Sequence, residues 1–106
     1  MRKLYLIGRS DLPPGLRAAQ VCHAMRLFAD EHSEEESHWY ETSNTIVLLE
    51  TADENSLSSL ASLATARRVP YSLFREPDRN DEATAIALGP KGHSLCRNLP
   101  LMHSEQ

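Results

Sequence analysis

The spacing of four short apolar runs does most to limit what this chain can fold into. Lys3–Arg9 (KLYLIGR), Thr45–Glu50 (TIVLLE), Tyr71–Arg75 (YSLFR) and Thr84–Gly89 (TAIALG) are each brief and rich in β-branched, aromatic or aliphatic residues. Proline, glycine or polar clusters bound them, which predicts buried strands. The first two gaps carry helical periodicity, whereas the third, Glu76 to Ala83 (EPDRNDEA), is too short to hold a crossover helix. Strands joined through helices run parallel, and a strand reached by a short loop runs back. Two right-handed crossovers travelling in opposite directions put one helix layer on each face. The expected fold is α/β: a three-layer α/β/α sandwich with a mixed four-stranded sheet, its last strand antiparallel.

The helices are read at about 100° per residue. Leu12-Pro13-Pro14-Gly15 is loop, and a helix then runs from Leu16 to about His32. Ala18, Val21, Cys22, Met25, Phe28 and Ala29 gather on one side, which is expected to face the sheet. Arg17, Gln20 and His23 mark a polar side interrupted by Ala19, Ala24 and Leu27, so that a loop or a second copy, in a homodimer, would cover part of it. Residues 30–41 are expected to be a helix end, then loop with a short helical turn. Thr51-Ala52-Asp53-Glu54 has the form of a capping box. It opens a second helix with Leu57, Leu60, Ala61 and Ala64 at i, i+3, i+4 and i+7, ending near Arg67-Arg68 in the last turn. Ser94 to Arg97 offers one helical turn, and the residues beyond are expected to fray.

A length of 106 residues suits one core and one domain, 1–106. Cys22 and Cys96 are isolated and no cleavage motif follows Met1-Arg2-Lys3, so a reducing, cytoplasmic compartment is expected. No stretch approaches the roughly 18 apolar residues of a membrane span. The net charge of −4 argues against a nucleic-acid partner until its distribution is considered. Six of the fifteen acids (Asp30, Glu31, Glu34, Glu35, Glu36 and Glu41) fall in residues 30–41, leaving the rest of the chain net basic. Glu34-Glu35-Glu36 reads as a solvated charge run.

In an open α/β sheet, ligands bind beyond the carboxyl ends of the parallel strands. The loops that begin at Ser10 and at Glu76 both leave such ends. Asp11, Arg17, Gln20, Glu76, Asp78, Asp81 and Thr84 can therefore converge at one edge despite their separation in sequence. Two readings stay open for His23, a solvated stripe or a site, and two for Asp78 and Asp81, a polar turn or catalytic acids. The chain has no G-x-S-x-G, H-E-x-x-H, Walker or G-x-G-x-x-G motif, so neither a cofactor nor a metal is expected.

Leu4 to Ala24 (LYLIGRSDLPPGLRAAQVCHA) resembles the opening of class II peptidyl-tRNA hydrolases. Arg9-Ser10-Asp11-Leu12 and Ala18-Ala19-Gln20-Val21-Cys22-His23-Ala24 carry that likeness, and Thr84 to Pro90 (TAIALGP) is similar to the family's last strand. The resemblance implies a mixed four-stranded sheet between helices and metal-independent hydrolysis of the ester joining a peptide to the tRNA 3′ end. It further implies an acid after the third strand, supplied here by Glu76, Asp78 or Asp81, and a strand threonine, Thr84. The family's lysine at the helix start is absent; Pro14-Gly15-Leu16-Arg17 stands there, with Arg17 displaced by one residue as the available cation. Arg9, Asp11, Gln20 and His23 are the expected substrate contacts. A non-catalytic tRNA- or nucleotide-binding or interaction protein that keeps the fold is the alternative.

Overall fold

The computed structural model describes residues 2–102. Strand β1 (Lys3–Arg9) leads into helix α1 (Pro14–Glu31) and helix α2 (Ser33–Thr42), then β2 (Thr45–Thr51), α3 (Glu54–Ala66), β3 (Tyr71–Glu76) and β4 (Glu82–Leu88). Short 3-10 turns at Pro77–Arg79 and Pro90–Leu95 follow β3 and β4. The sheet order is β2-β1-β4-β3. β1 pairs parallel with β2, from Lys3 opposite Thr45 to Arg9 opposite Thr51. β4 runs antiparallel to both neighbours, with Gly8 opposite Ala85 on one side and Glu76 opposite Glu82 on the other. The mixed sheet with a reversed last strand is therefore as expected. Its reversal has a positional effect: β4 begins at the sheet end where β1 and β3 finish.

Alternating side chains fill two cores. On one face Leu4, Leu6, Ala85 and Ala87 pack under Val21, Ala24 and Phe28 of α1 and Trp39 of α2. On the other, Tyr5, Ile7, Ile86 and Leu88 pack under Leu57, Leu60, Ala61 and Ala64 of α3. Gly8 is required by closeness: a Cβ there would lie 2.9 Å from the Arg17 Cγ and 3.0 Å from the Met102 Cε. Among the described residues no helix is long and apolar enough to cross a membrane.

The face of α1 differs from the periodicity reading. Its buried residues are Arg17, Gln20, Val21, Ala24 and Phe28, while Ala18 and Cys22 are exposed. The helix is rotated because Arg17 and Gln20 find hydrogen-bonding partners inside, which removes the desolvation penalty that keeps polar groups outside. Ala24 lies in the core, so of the three residues expected to invite a second copy only Ala19 and Leu27 remain on the outside.

Residues 33–42 form a full helix instead of loop with a turn. His32 (φ −132°, ψ 55°) breaks the chain between α1 and α2, and its Nε2 lies 2.7 Å from the Tyr71 carbonyl. Glu34, Glu35 and Glu36 occupy the first turn of α2, where negative charge suits the helix dipole. Trp39 anchors the end, its indole Nε1 donating to the Thr45 carbonyl at 2.8 Å. The cap of α3 is Asp53, accepting from the Ser56 amide at 2.9 Å, rather than Thr51, which is still in β2. Arg67 and Arg68 follow α3 instead of closing its last turn, Arg68 in the left-handed region at φ 57°. Past Pro90–Leu95 the chain returns to the sheet, where Leu101 bridges Leu49. The rest of the expected frayed end, residues 103–106, lies outside the described residues, as does Met1.

Candidate active site

The strand polarity brings three distant residues into one hydrogen-bonded chain. Thr84, near the start of β4 and fully buried, donates from Oγ1 to Gln20 Oε1 at 2.5 Å. Gln20, buried on the sheet face of α1, donates from Nε2 to Glu76 Oε1 at 2.9 Å. Glu76 ends β3, and its other oxygen, Oε2, accepts from the Asp78 amide at 3.3 Å. The Gln20 bond, then the Asp78 amide, holds the Glu76 carboxyl below the usual glutamate range. A buried amide that accepts from a hydroxyl and donates to a carboxylate has a fixed orientation, and it fixes the carboxylate in turn. Glu76 is only partly buried, so the chain ends in a solvent-accessible acid.

His23 lies one helical turn beyond Gln20, exposed, and stacks on Phe74 with ring centroids 4.9 Å apart and 23° between planes. It also lowers the Glu76 carboxyl electrostatically, after the hydrogen bonds. Asp78 and Asp81 are exposed on the β3–β4 turn. Asn80 (φ 55°) and Asp81 (φ 60°) adopt left-handed backbone there, a conformation that short polar side chains tolerate.

Arg9 and Asp11 sit beside this chain. The Arg9 Nε and Nη2 donate to the two Asp11 oxygens, both at 2.9 Å. Its Nη1 reaches Glu82 Oε1 at 2.8 Å and the Ala83 carbonyl at 3.0 Å. The bonds to Asp11 and Glu82 raise the Arg9 pKa further above the usual arginine range. They also hold the Asp11 and Glu82 carboxyls below theirs. Glu54 completes this corner by accepting from the Ala83 amide at 2.8 Å.

Arg17 is not part of the Thr84–Gln20–Glu76 chain. Its stem crosses Gly8 toward β2, and its Nη1 meets Glu50 Oε1 at 3.2 Å. The Nε donates to the Arg9 carbonyl at 3.0 Å. The Nη2 donates to the Ser10 carbonyl at 3.1 Å and to the Leu12 carbonyl at 2.8 Å. This guanidinium ties the loop after β1 to the end of β2.

Of the residues singled out in the sequence, Gln20, Glu76 and Thr84 come together; His23, Arg9, Asp11 and Asp78 border them; Asp81 faces outward on the turn. Sequence reasoning did not single out Glu50, Glu82 or Arg79, and it read Glu54 as a capping acid, whereas its carboxylate accepts from the Ala83 amide. For Glu50 there was a signal: a carboxylate closing an otherwise apolar strand calls for a buried cation. Among the described residues no group of three or more His, Cys, Asp or Glu side chains is arranged to hold a metal ion.

No curated protein matches this sequence at a significant level. A family model described as Peptidyl-tRNA hydrolase PTH2 matches residues 2–99. That range takes in all four strands, the three helices and every residue of the hydrogen-bonded chain. The motif around Gln20 and His23, the reversed last strand and a match over nearly the whole sequence lead to one assignment: the chain belongs to the peptidyl-tRNA hydrolase PTH2 family.

Proposed function

We propose that this protein hydrolyses the ester between a peptide and the 3′ end of tRNA, in the cytoplasm and without a metal. The observation that carries this reading is the chain Thr84–Gln20–Glu76, which presents one oriented carboxylate at the sheet end where β1 and β3 finish. Glu76 accepts a proton from a water molecule as its oxygen attacks the ester carbonyl. The carbonyl–oxygen bond to the ribose then breaks, and the departing ribose oxygen takes the proton held by Glu76, giving a hydroxyl and restoring the carboxylate. Because its carboxyl is held below the usual range, Glu76 is a weak base, and orienting the water is the larger part of its role. Gln20 and Thr84 act through Glu76 as positioning residues. Exposed His23 on Phe74 offers a flat ring on which a terminal nucleobase stacks. Asp78 borders the acid through its amide, and Asp81 shapes the turn. Self-association through Ala19 and Leu27 on the outer side of α1 belongs to the same proposal.

The alternative, a tRNA- or nucleotide-binding protein without chemistry, is favoured by one observation: Arg17, the cation nearest the start of α1, is committed to three carbonyls and Glu50. A single-turnover assay on an N-blocked aminoacyl-tRNA separates the two. The hydrolase reading expects cleavage by the parent protein, slowed about 100-fold or more in Glu76→Gln. In that variant tRNA affinity is retained, since one neutralised acid removes no phosphate contact. Parent protein with no cleavage above a buffer blank leaves the binding reading.

A further inference from the structure

If peptidyl-tRNA is the substrate, phosphates arrive at this sheet end and a cation must meet them. Two arginines beside the site have their donors engaged, and a third lies on the other face of the sheet. Arg9 makes four hydrogen bonds to Asp11, Glu82 and Ala83. Arg17 is held by Glu50 and three carbonyls. Arg75 is exposed and pairs with Ala83, whose side chain lies in the core under α3, away from Gln20 and Glu76, with its Nη1 3.4 Å from the Asp81 carbonyl.

Arg79 differs from all three. It closes the short turn Pro77–Arg79 directly after Glu76, and Glu76 caps that turn by accepting from the Asp78 amide. Its Nε is buried and has only a long ion-pair contact. The nearest carboxylate oxygen, Glu82 Oε1, is 3.5 Å away and is already held by Arg9 Nη1 at 2.8 Å. One carboxylate thus faces two guanidinium groups, and the shorter bond goes to Arg9. The Arg79 side chain is 38% exposed while its Nε is buried, so a ligand reaches the outer Nη groups, which make no hydrogen bond among the described residues. Its charge also contributes to lowering the carboxyls of Asp11, Glu76 and Glu82, which places it among all three.

We propose that Arg79 is the substrate-binding cation of this site, its outer Nη edge taking a phosphodiester of the 3′-terminal nucleotides of the tRNA. The two Nη groups of a planar guanidinium match two phosphate oxygens, which a lysine ammonium does not. The turn that carries Arg79 starts at Glu76, so the same anchor aligns the ester with the carboxylate. This assignment rests on the hydrolase reading for its substrate; its chemistry, an RNA phosphate on Arg79, can be tested without cleavage.

The experiment uses the full chain as parent, Arg79→Ala and Arg79→Lys, with thermal melts confirming that each folds. Steady-state hydrolysis of an N-blocked aminoacyl-tRNA is followed together with binding of an RNA trinucleotide of the 3′-terminal sequence across a salt series. The expected result for Arg79→Ala is a KM raised about tenfold with kcat nearly unchanged. The slope of log affinity against log salt should fall by about one. Arg79→Lys should restore the slope but only part of the affinity. The Arg79 Nε–H resonance of the parent should shift as the trinucleotide is added. An active parent whose KM is indifferent to Arg79→Ala overturns the proposal, and so does a loss confined to kcat, which would put Arg79 at the ester oxyanion. If the parent cleaves nothing, the hydrolase reading fails while the trinucleotide measurements still decide for or against Arg79.

Discussion

Replacing Arg17 by methionine keeps a stem over Gly8 and removes the guanidinium, so it isolates what that group does. The side chains of Arg17 and Glu50 are only 3% and 10% exposed. Breaking a buried ion pair by deleting one partner costs about 3–5 kcal/mol, because the other charge stays buried without its counter-ion. The carbonyls of Arg9, Ser10 and Leu12 lose a donor as well. Glu50 and Ser10 border solvent and relax toward it, which sets the expectation at the lower end, about 3 kcal/mol. For a domain of this size that is a fall in melting temperature of about 12–24 °C. Urea and thermal unfolding of Arg17→Met, Glu50→Gln and the double variant measure it. With Glu50→Gln already present no charge is stranded, so Arg17→Met should cost at least about 1 kcal/mol less, a coupling typical of a buried pair. The reasoning is refuted by an Arg17→Met protein that melts with the parent yet cleaves about 100-fold more slowly, the signature of a group stabilising the transition state.

Two further outcomes follow from the same network. Thr84→Val, close in shape, strands the Gln20 Oε1 in a fully buried site and should cost about 1–3 kcal/mol while slowing single-turnover cleavage; equal stability and rate would remove Thr84 from the chain. Asp11 and Glu82 have native carboxyls held below their ordinary values, Arg9 being the first cause in each. The unfolded chain therefore binds protons first as pH falls, so this stabilisation is present above the ordinary carboxylate range and is lost as pH drops through the lowered native values. Asp11→Asn should flatten that acid limb of the urea midpoint against pH, and an unchanged limb would show that Asp11 contributes nothing to it.

Strand identity and polarity were legible because apolar runs and gap lengths act locally, and the short Glu76–Ala83 gap alone forces β4 to reverse. The orientation of α1 was not. Counting hydrophobicity sends Arg17 and Gln20 outward, whereas the carbonyls after β1, Glu50, Glu76 and Thr84 receive them inside. Those partners lie up to 64 residues away and have no local signature. The acidic run hid α2, since solvated charge in a loop and acids in a first helical turn look alike in sequence. Within the site, Gln20, His23 and Thr84 were marked by a family-like motif. Glu82 and Arg79 were not, because each is a plain charged residue of a polar turn until Arg9 and the sheet end are set beside it.

The edge of β2 illustrates how a sheet end can be closed with very little chain. Ile46 and Leu48 leave large apolar side chains exposed on this outermost strand, the kind of edge that recruits strands from other molecules. Two backbone bonds partly cover it: the Glu50 amide donates to the Pro100 carbonyl at 3.0 Å and the Met102 amide to the Leu48 carbonyl at 2.9 Å. The covering segment contains a proline, which has no amide to offer a further neighbour, so pairing halts there instead of propagating. Met102 then reaches inward to Gly8 and fastens the segment to the core. A glycine chosen for tight packing thereby also secures the strip that covers the β2 edge of this sheet.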